Sequence, residues 1–267
     1  MDLSIVILNY YNKNLIRELL KNIARLNLPY NYEIIIVDNA SYDGIAEMVK
    51  DQPKIKFIQN NVNGGFAAGN NLGMKKATGK YILICNPDLA IFSNAFEVMH
   101  DYMEANIEVA MAGPRLINAD KSVQYSCTRF PDWHLPFYRR TFLSKTKKAR
   151  QWLDHYLMKD LDHSQNFYTP VLFGACLIIR RSLLHSVGLF DERYFMYMED
   201  LDWSRRFWER GYKVAYLGTA EVIHLHKRES AQEGILKSLF KKSARYHIIS
   251  FIKYLKKFRG KKIPQVK

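Results

Sequence analysis

The chain has 267 residues, 48% hydrophobic and 25% charged, which suits one α/β domain with a sizeable core. No apolar run approaches a membrane-spanning length, no leader pattern precedes the first strand, and three cysteines without metal-type spacing exclude a disulfide framework and point to buried thiols in a reducing compartment. The net charge of +14 is concentrated: eleven Lys and Arg residues follow the last acid, Glu233, and the rest of the chain carries +3.

The pattern begins with a buried-strand run at Leu3–Asn9. Leu15, Ile16, Leu19, Leu20, Ile23 and Ala24 recur at helical spacing. A second apolar strand over 33–37 ends in Asp38-Asn39-Ala40-Ser41, and a short helix is expected over 44–50. A third strand over 55–59 leads to the turn Asn63-Gly64-Gly65-Phe66 and a helix over 67–77. A fourth strand, Tyr81–Cys85, ends in Asn86-Pro87-Asp88. Strand and helix alternating at this spacing predict a mainly parallel sheet flanked by helices. Ligands in such sheets bind beyond the carboxyl ends of the strands, and that is where Asn9, Asp38-Asn39 and Asn86-Pro87-Asp88 fall.

Residues 128–166 are rich in aromatic and basic side chains with weak periodicity and read as an insertion or mobile cover. Regular order resumes with an apolar run over 171–179, followed by a helix over 201–210 and a strand over 213–217. From residue 235 the pattern is an amphipathic helix. Phe240, Ala244, Ile248, Phe251, Ile252 and Leu255 share one face, and lysines and arginines occupy the rest. This divides the chain into a catalytic domain, 1–234, and a basic tail, 235–267, suited to an anionic membrane surface. The same pattern would also arise from a helix packed on the domain or from a homodimer interface.

Individual motifs admit two readings each. Asp38 and Asn39 at a strand tip can read the edge of a base, and Asp-Asn-Ala-Ser is also good turn chemistry. Asp88 can bind a divalent cation that holds a diphosphate, or sit in a surface turn. Asn63, Gly64 and Gly65 before a helix let backbone approach a phosphate. Neither the dinucleotide fingerprint nor the Gly-Lys-Ser/Thr phosphate loop is present. Glu199, Asp200 and Asp202 open a helix, where carboxylates are favoured by the macrodipole; one of them is also a candidate general base. His224 and His226 are either surface histidines or the source of a metal ligand.

Taken in order, these segments resemble family 2 glycosyltransferases, in particular the rhamnosyltransferase-like branch. The matching pieces are Ser4–Asn12, Val37–Gly44, Asn63–Asn70, Asn86-Pro87-Asp88, Phe173-Gly174-Ala175, Glu199-Asp200-Leu201-Asp202 and His224. The resemblance implies a GT-A fold and inverting, metal-dependent transfer from a nucleotide sugar. It places Asn9, Asp38 and Asn39 at the nucleobase, Asn63, Gly64 and Gly65 along the nucleotide pocket, and Asn86 and Asp88 at the diphosphate. Asp88 and His224 become ligands of Mg²⁺ or Mn²⁺. Asn86 stands where the family's D-x-D motif begins, which leaves one strong carboxylate ligand. Asp200 becomes the catalytic base, with Glu199 and Asp202 as competitors. The donor implied is dTDP-L-rhamnose, with UDP-glucose, UDP-galactose or UDP-N-acetylglucosamine as alternatives. The acceptor is a glycan or lipid-diphosphate-linked sugar, reached from the cytoplasmic face of the membrane in polysaccharide assembly. A basic nucleic-acid-binding protein is the competing class, but the charge lies in one helix and no nucleic-acid recognition module is visible; the reading therefore excludes nucleic acid as a partner. A nucleotidyltransferase is disfavoured because no G-x-G-T-R-type loop follows the first strand.

Overall fold

A computed structural model of the chain describes residues 1–91, 94–140, 142–225 and 242–266. His226 and the start of the expected tail helix, 235–241, lie outside the described residues. Strands β1 (Leu3–Asn9), β2 (Tyr32–Asn39), β3 (Ile55–Asn60) and β4 (Tyr81–Cys85) pair in parallel in the order β3-β2-β1-β4. Alternate residues of β1 serve different cores. Leu3, Ile5 and Ile7 face one layer and Val6 the other, so residues 5–8 form a continuous apolar run rather than an alternation. Each fully buried Ile contributes roughly 1.5–3 kcal/mol, which makes this two-sided burial, not local propensity, the force that fixes the strands.

Helix α1 (Lys13–Arg25) buries Ile16, Leu19 and Ile23 on the first layer, as their spacing predicts. After the short α2 (Ile45–Val49), α3 (Gly65–Lys76) lies on the other layer. A Cβ on Gly69 would stand 2.4 Å from Leu8 Cδ1, and one on Gly73 2.4 Å from Val6 Cγ1. Both glycines therefore let the α3 backbone settle directly onto β1.

Beyond β4 the sheet departs from the simple alternation. Strand β5 (Leu89–Ala90) follows at once; then come α4 (Ala95–Ala105) and β6 (Val109–Ile117), which the sequence reading did not isolate. The apolar run expected over 171–179 is broken at Phe173-Gly174-Ala175 into β10 (Val171–Leu172) and β11 (Cys176–Arg180). β10 pairs with β8 (Cys127–Thr128) in a separate small sheet. β11 runs antiparallel between β4 and β6. The last long strand, β12 (Lys213–His224), extends well past the expected end, runs parallel to β6 with an irregularity between Leu217 and Glu221, and receives β5 on its final residues. The sheet is thus mixed, with its parallel half carrying the predicted strand tips. All three cysteines are free and buried.

The segment 128–166 is not an irregular cover. It contains α5 (His134–Arg140), a 3-10 turn at Phe142–Lys145 and α6 (Lys147–Tyr156). Its aromatics stack on one another: Trp152 and Tyr156 lie 5.3 Å apart with rings inclined by 8°. Leu135 and Tyr156 join Leu201 of α8 (Glu199–Glu209) and Phe251, Tyr254 and Phe258 in a third hydrophobic cluster. The last three belong to or follow α9 (Lys242–Lys257). The predicted apolar face of α9 is therefore split. Ala244 and Phe251 turn to the domain, Leu255 is half-buried, and Ile248 and Ile252 are exposed. The spacing gives a helix, but the buried stripe is rotated toward Ala244, Phe251 and Tyr254, because the partner surface is the aromatic cluster. Phe240 lies outside the described residues.

Candidate active site

The parallel pairing of β1, β2 and β4 brings their C-terminal tips to one edge of the sheet. A cleft of about 510 Å³ opens there. Its wall includes Tyr10 and Asn12 after β1, Asn39 at the end of β2, Asn63, Gly65 and Phe66 at the start of α3, and Asn86, Pro87 and Asp88 after β4.

Asn9 and Asp38 are register partners and are fully buried behind that wall. Asn9 Nδ2 donates to Asp38 Oδ1 at 2.8 Å, to Ser41 Oγ at 2.9 Å and to Asp43 Oδ1 at 3.1 Å. Asp38 also accepts from the Ser41 hydroxyl, from Gln59 Nε2 at 2.9 Å and from the Tyr42 N–H at 3.0 Å. Burial alone would raise its pKa, but these hydrogen bonds outweigh it and lower the pKa, so the group stays a carboxylate. Their side chains hold the β1 and β2 loops in shape from inside and do not reach the cleft surface. Asn39 does. Its Nδ2 donates to Asn63 Oδ1 at 2.8 Å and to the Gly65 carbonyl at 3.1 Å, and its Oδ1 accepts from the Gly64 N–H at 3.2 Å. Asn39, Asn63, Gly64 and Gly65 thus form one interlocked loop.

Gly65 has φ +83°, and a Cβ there would stand 2.0 Å from the Phe195 carbonyl oxygen. That carbonyl accepts from the Phe66 N–H at 2.8 Å. The contact pins the segment before α8 to the start of α3 and sets Phe195 and Met196 into the cleft wall. Tyr197 and Met198 then take left-handed φ values of 70° and 71°. Two such non-glycine residues in sequence are strained, and they aim the first turn of α8.

The three acids of that turn separate by environment. Asp202 is fully buried, paired with Arg206 at 2.6 Å and with Lys257 of α9 at 2.5 Å, and accepts from the Tyr194 hydroxyl at 3.2 Å. It is a structural anchor, which removes it as a base. Glu199 is buried; burial, and then the charge of Asp200, push its pKa well above the ordinary range, which favours its protonated form. Asp200 is half-buried. Burial pushes its pKa up to about 6, held from rising further by the Gly174 and Leu201 N–H groups, each 2.9 Å from a carboxylate oxygen. Gly174 also meets Phe66 of the cleft wall: a Cβ there would lie 3.2 Å from the Phe66 ring and 3.7 Å from Asp200 Cβ. The next residue, Ala175, accepts from the Asn86 N–H at 2.9 Å. One short segment, Phe173-Gly174-Ala175, therefore ties Asp200 to the loop that carries Asp88.

His224 reaches Asp88 through the sheet. β12 pairs with β5 in the register His224↔Leu89, and His224 Nε2 lies 3.3 Å from Asp88 Oδ1. Gln124 Nε2 donates to the His224 carbonyl at 2.8 Å, which fixes its Oε1 as the acceptor facing His224 Nδ1 at 2.9 Å. Nδ1 therefore donates to Gln124, and Nε2 is the ring nitrogen turned to the Asp88 carboxylate. An imidazole nitrogen and a carboxylate oxygen side by side are donors of the kind a divalent cation takes. Among the described residues no cluster of three or more His, Cys, Asp or Glu is set to hold a metal ion. These two donors fit a divalent ion that takes its remaining ligands from substrate phosphates and water.

Lys242, Ser243 and Tyr246 of α9 also line the cleft. Tyr246 stacks on Phe195 at 4.4 Å, Ser250 Oγ donates to the Met196 carbonyl at 2.9 Å and Lys253 Nζ to the Arg193 carbonyl at 2.6 Å. Sequence reasoning missed these residues. The helix was legible, but no local signal marks which surface a distant helix covers.

Comparison with known proteins shows what the chain is similar to. The N-acetylglucosaminyl-diphospho-decaprenol L-rhamnosyltransferase of Mycobacterium tuberculosis is 30% identical over 211 residues, covering 74% of this chain and 67% of its own length. The rhamnosyltransferase WbbL of Escherichia coli strain K12 is 24% identical, covering 96% of this chain and 93% of its own. Among solved structures, the mannosyltransferase PcManGT from Pyrobaculum calidifontis, in complex with GDP-Man and Mn²⁺, aligns with a TM-score of 0.60 at 18% identity, over 86% of this chain and 58% of that one. The chain thus spans little more than half of that structure, and the likeness is one of fold. The model of glycosyl transferase family 2 matches residues 4–188, and with it the chain belongs to that family.

Proposed function

We propose that the protein is an inverting glycosyltransferase that moves a sugar from a nucleotide-sugar donor to an acceptor hydroxyl, with Asp200 as the base. The observation that carries this reading is geometric: the Asp200 carboxylate is held by two backbone N–H groups and tied through residues 173–175 to the Asp88–His224 pair, and burial pushes its pKa up to about 6. At neutral pH Asp200 is ionised and takes the proton of the acceptor hydroxyl. That oxygen attacks the anomeric carbon from the face opposite the nucleoside diphosphate, the bond to the diphosphate oxygen breaks, and the configuration inverts. Asn39, Asn63 and Gly65 border the nucleotide, with Asn9 and Asp38 holding the loops behind them. Asp88 and His224 would hold Mg²⁺ or Mn²⁺, which when bound offsets charge on the leaving diphosphate. The mannosyltransferase structure with GDP-Man and Mn²⁺ supports this assignment.

The donor we favour is dTDP-L-rhamnose and the acceptor a lipid-diphosphate-linked sugar, supported by the names of the mycobacterial and Escherichia coli relatives. Work on such an acceptor places the enzyme peripherally on the cytoplasmic face of the membrane. Among the described residues no helix is long and apolar enough to cross a bilayer. Titration calorimetry with dTDP and with UDP, in Mg²⁺ or Mn²⁺ and again in chelator, tests the reading. Metal-dependent binding that favours dTDP is expected. A preference for UDP would keep the transferase and replace the donor, whereas binding of neither nucleotide would overturn the assignment.

A further inference from the structure

A second cavity, of about 410 Å³, lies between the C-terminal half of α9, the chain that follows it, and α8. It shares no lining residue with the donor cleft. From Tyr246, which lines the cleft, to Tyr254, which lines this groove, α9 rises about 12 Å. Four cations line it, Arg205, Lys256, Arg259 and Lys261, and no carboxylate does.

Arg205 makes the site a built one. Its side chain is 5% exposed, and its guanidinium is fixed by Glu209 at 3.1 Å, by the Lys261 and Lys262 carbonyls at 3.4 and 3.1 Å, and over the Phe258 ring at 4.0 Å. Tyr254 is 1% exposed, and its hydroxyl lies against the Arg205 guanidinium. The mouth is apolar as well as basic. Leu255, Ile263 and Pro131 line it, Ile263 is 59% exposed, and Trp133, two residues beyond Pro131, is 61% exposed. Free phosphate has no use for that apolar rim, and a nucleic acid would need open aromatic faces where Tyr254 and Phe258 are buried. A phosphate joined to an acyl chain matches both halves of the lining.

We propose that this groove binds the phosphate headgroup of an anionic membrane lipid, with Lys256, Arg259 and Lys261 meeting the phosphate and Leu255 and Ile263 meeting the chain. The proposal rests on the reading that the enzyme works on a lipid-linked acceptor. It adds a lipid site distinct from the cleft and joined to it by one helix.

The test is cosedimentation of the full chain with phosphatidylcholine vesicles, with and without phosphatidylglycerol. The wild type should bind only the anionic vesicles. The variant Lys256→Gln/Arg259→Gln/Lys261→Gln should bind about a hundredfold more weakly. A charge-matched control, Lys21→Gln/Lys50→Gln/Lys54→Gln, should keep wild-type affinity. Equal losses in both variants would mean that net charge alone drives binding and would overturn the site. So would loss of duplex DNA binding in the groove variant with no vesicle binding by the wild type. Calorimetry with dTDP and UDP on the same proteins separates the two readings. Vesicle binding without nucleotide binding would remove the transferase and leave the groove, and the converse would remove only the groove.

Discussion

Among the acids Glu199, Asp200 and Asp202, adjacent in sequence and alike in chemistry, the surroundings decide the roles. Asp200→Asn should lower kcat by about 10²–10⁴ while leaving nucleotide affinity intact, since the amide cannot take a proton. Glu199→Gln should be far milder, because burial and the neighbouring Asp200 charge push the Glu199 pKa up and disfavour its ionised form; the reverse order would move the base to Glu199. Below about pH 6 Asp200 is protonated and cannot act as a base, so kcat/KM should rise with pH, reach half its plateau near 6 and stay high above it. A profile flat through that range would remove Asp200. Asp202→Asn should instead act on stability, by roughly 3–5 kcal/mol in chemical denaturation, because it leaves Arg206 and Lys257 facing a neutral amide in the interior. The sequence places these acids at a helix start and goes no further. Lys257, which neutralises Asp202, and Gly174, which binds Asp200, arrive from distant segments.

At the scale of elements, legibility follows locality. The tips of β1, β2 and β4 were readable because an apolar run ending in Asn or Asp is a local signal, and parallel pairing puts such tips together. The insertion of β11 between β4 and β6 was not, since an antiparallel strand entering from residue 176 has no local mark. Nor was the way β5 carries His224 to Asp88. Helix α9 is the largest case. It reads as a tail, yet Tyr246 stacks on Phe195 in the cleft wall and Ser250 holds the Met196 carbonyl. Tyr246→Ala should therefore raise the KM of donor or acceptor about tenfold, the worth of one aromatic contact, with the pH midpoint unchanged. Lys242→Ala, removing a cation from the same wall, should act in the same direction. Unchanged KM values for both substrates in both variants would reduce α9 to a brace.

On the insertion and α9, basic side chains and exposed apolar side chains fall on the same parts. α5, α6 and α9 share one hydrophobic cluster beneath the surface. Above it stand Trp133, Phe137 and Phe142 from the insertion and Ile248, Ile249 and Ile252 from α9, with Phe142 77% and Ile249 49% exposed. Lysines and arginines flank both groups. A membrane uses the two components differently. Attraction to anionic headgroups is screened within about 8 Å at physiological ionic strength, whereas apolar side chains in the interface are held regardless of salt. Wild-type binding to anionic vesicles should therefore fall with added salt to a residual plateau. Trp133→Ala/Phe142→Ala should bind more weakly and lose that plateau, because only the screened component remains. An unaltered plateau would place the apolar contact elsewhere. Sedimentation of the free protein supplies the other arm: a dimer that Ile249→Asp/Ile252→Asp dissociates would assign the α9 face to a second copy of the chain, and the insertion alone would then face the lipid.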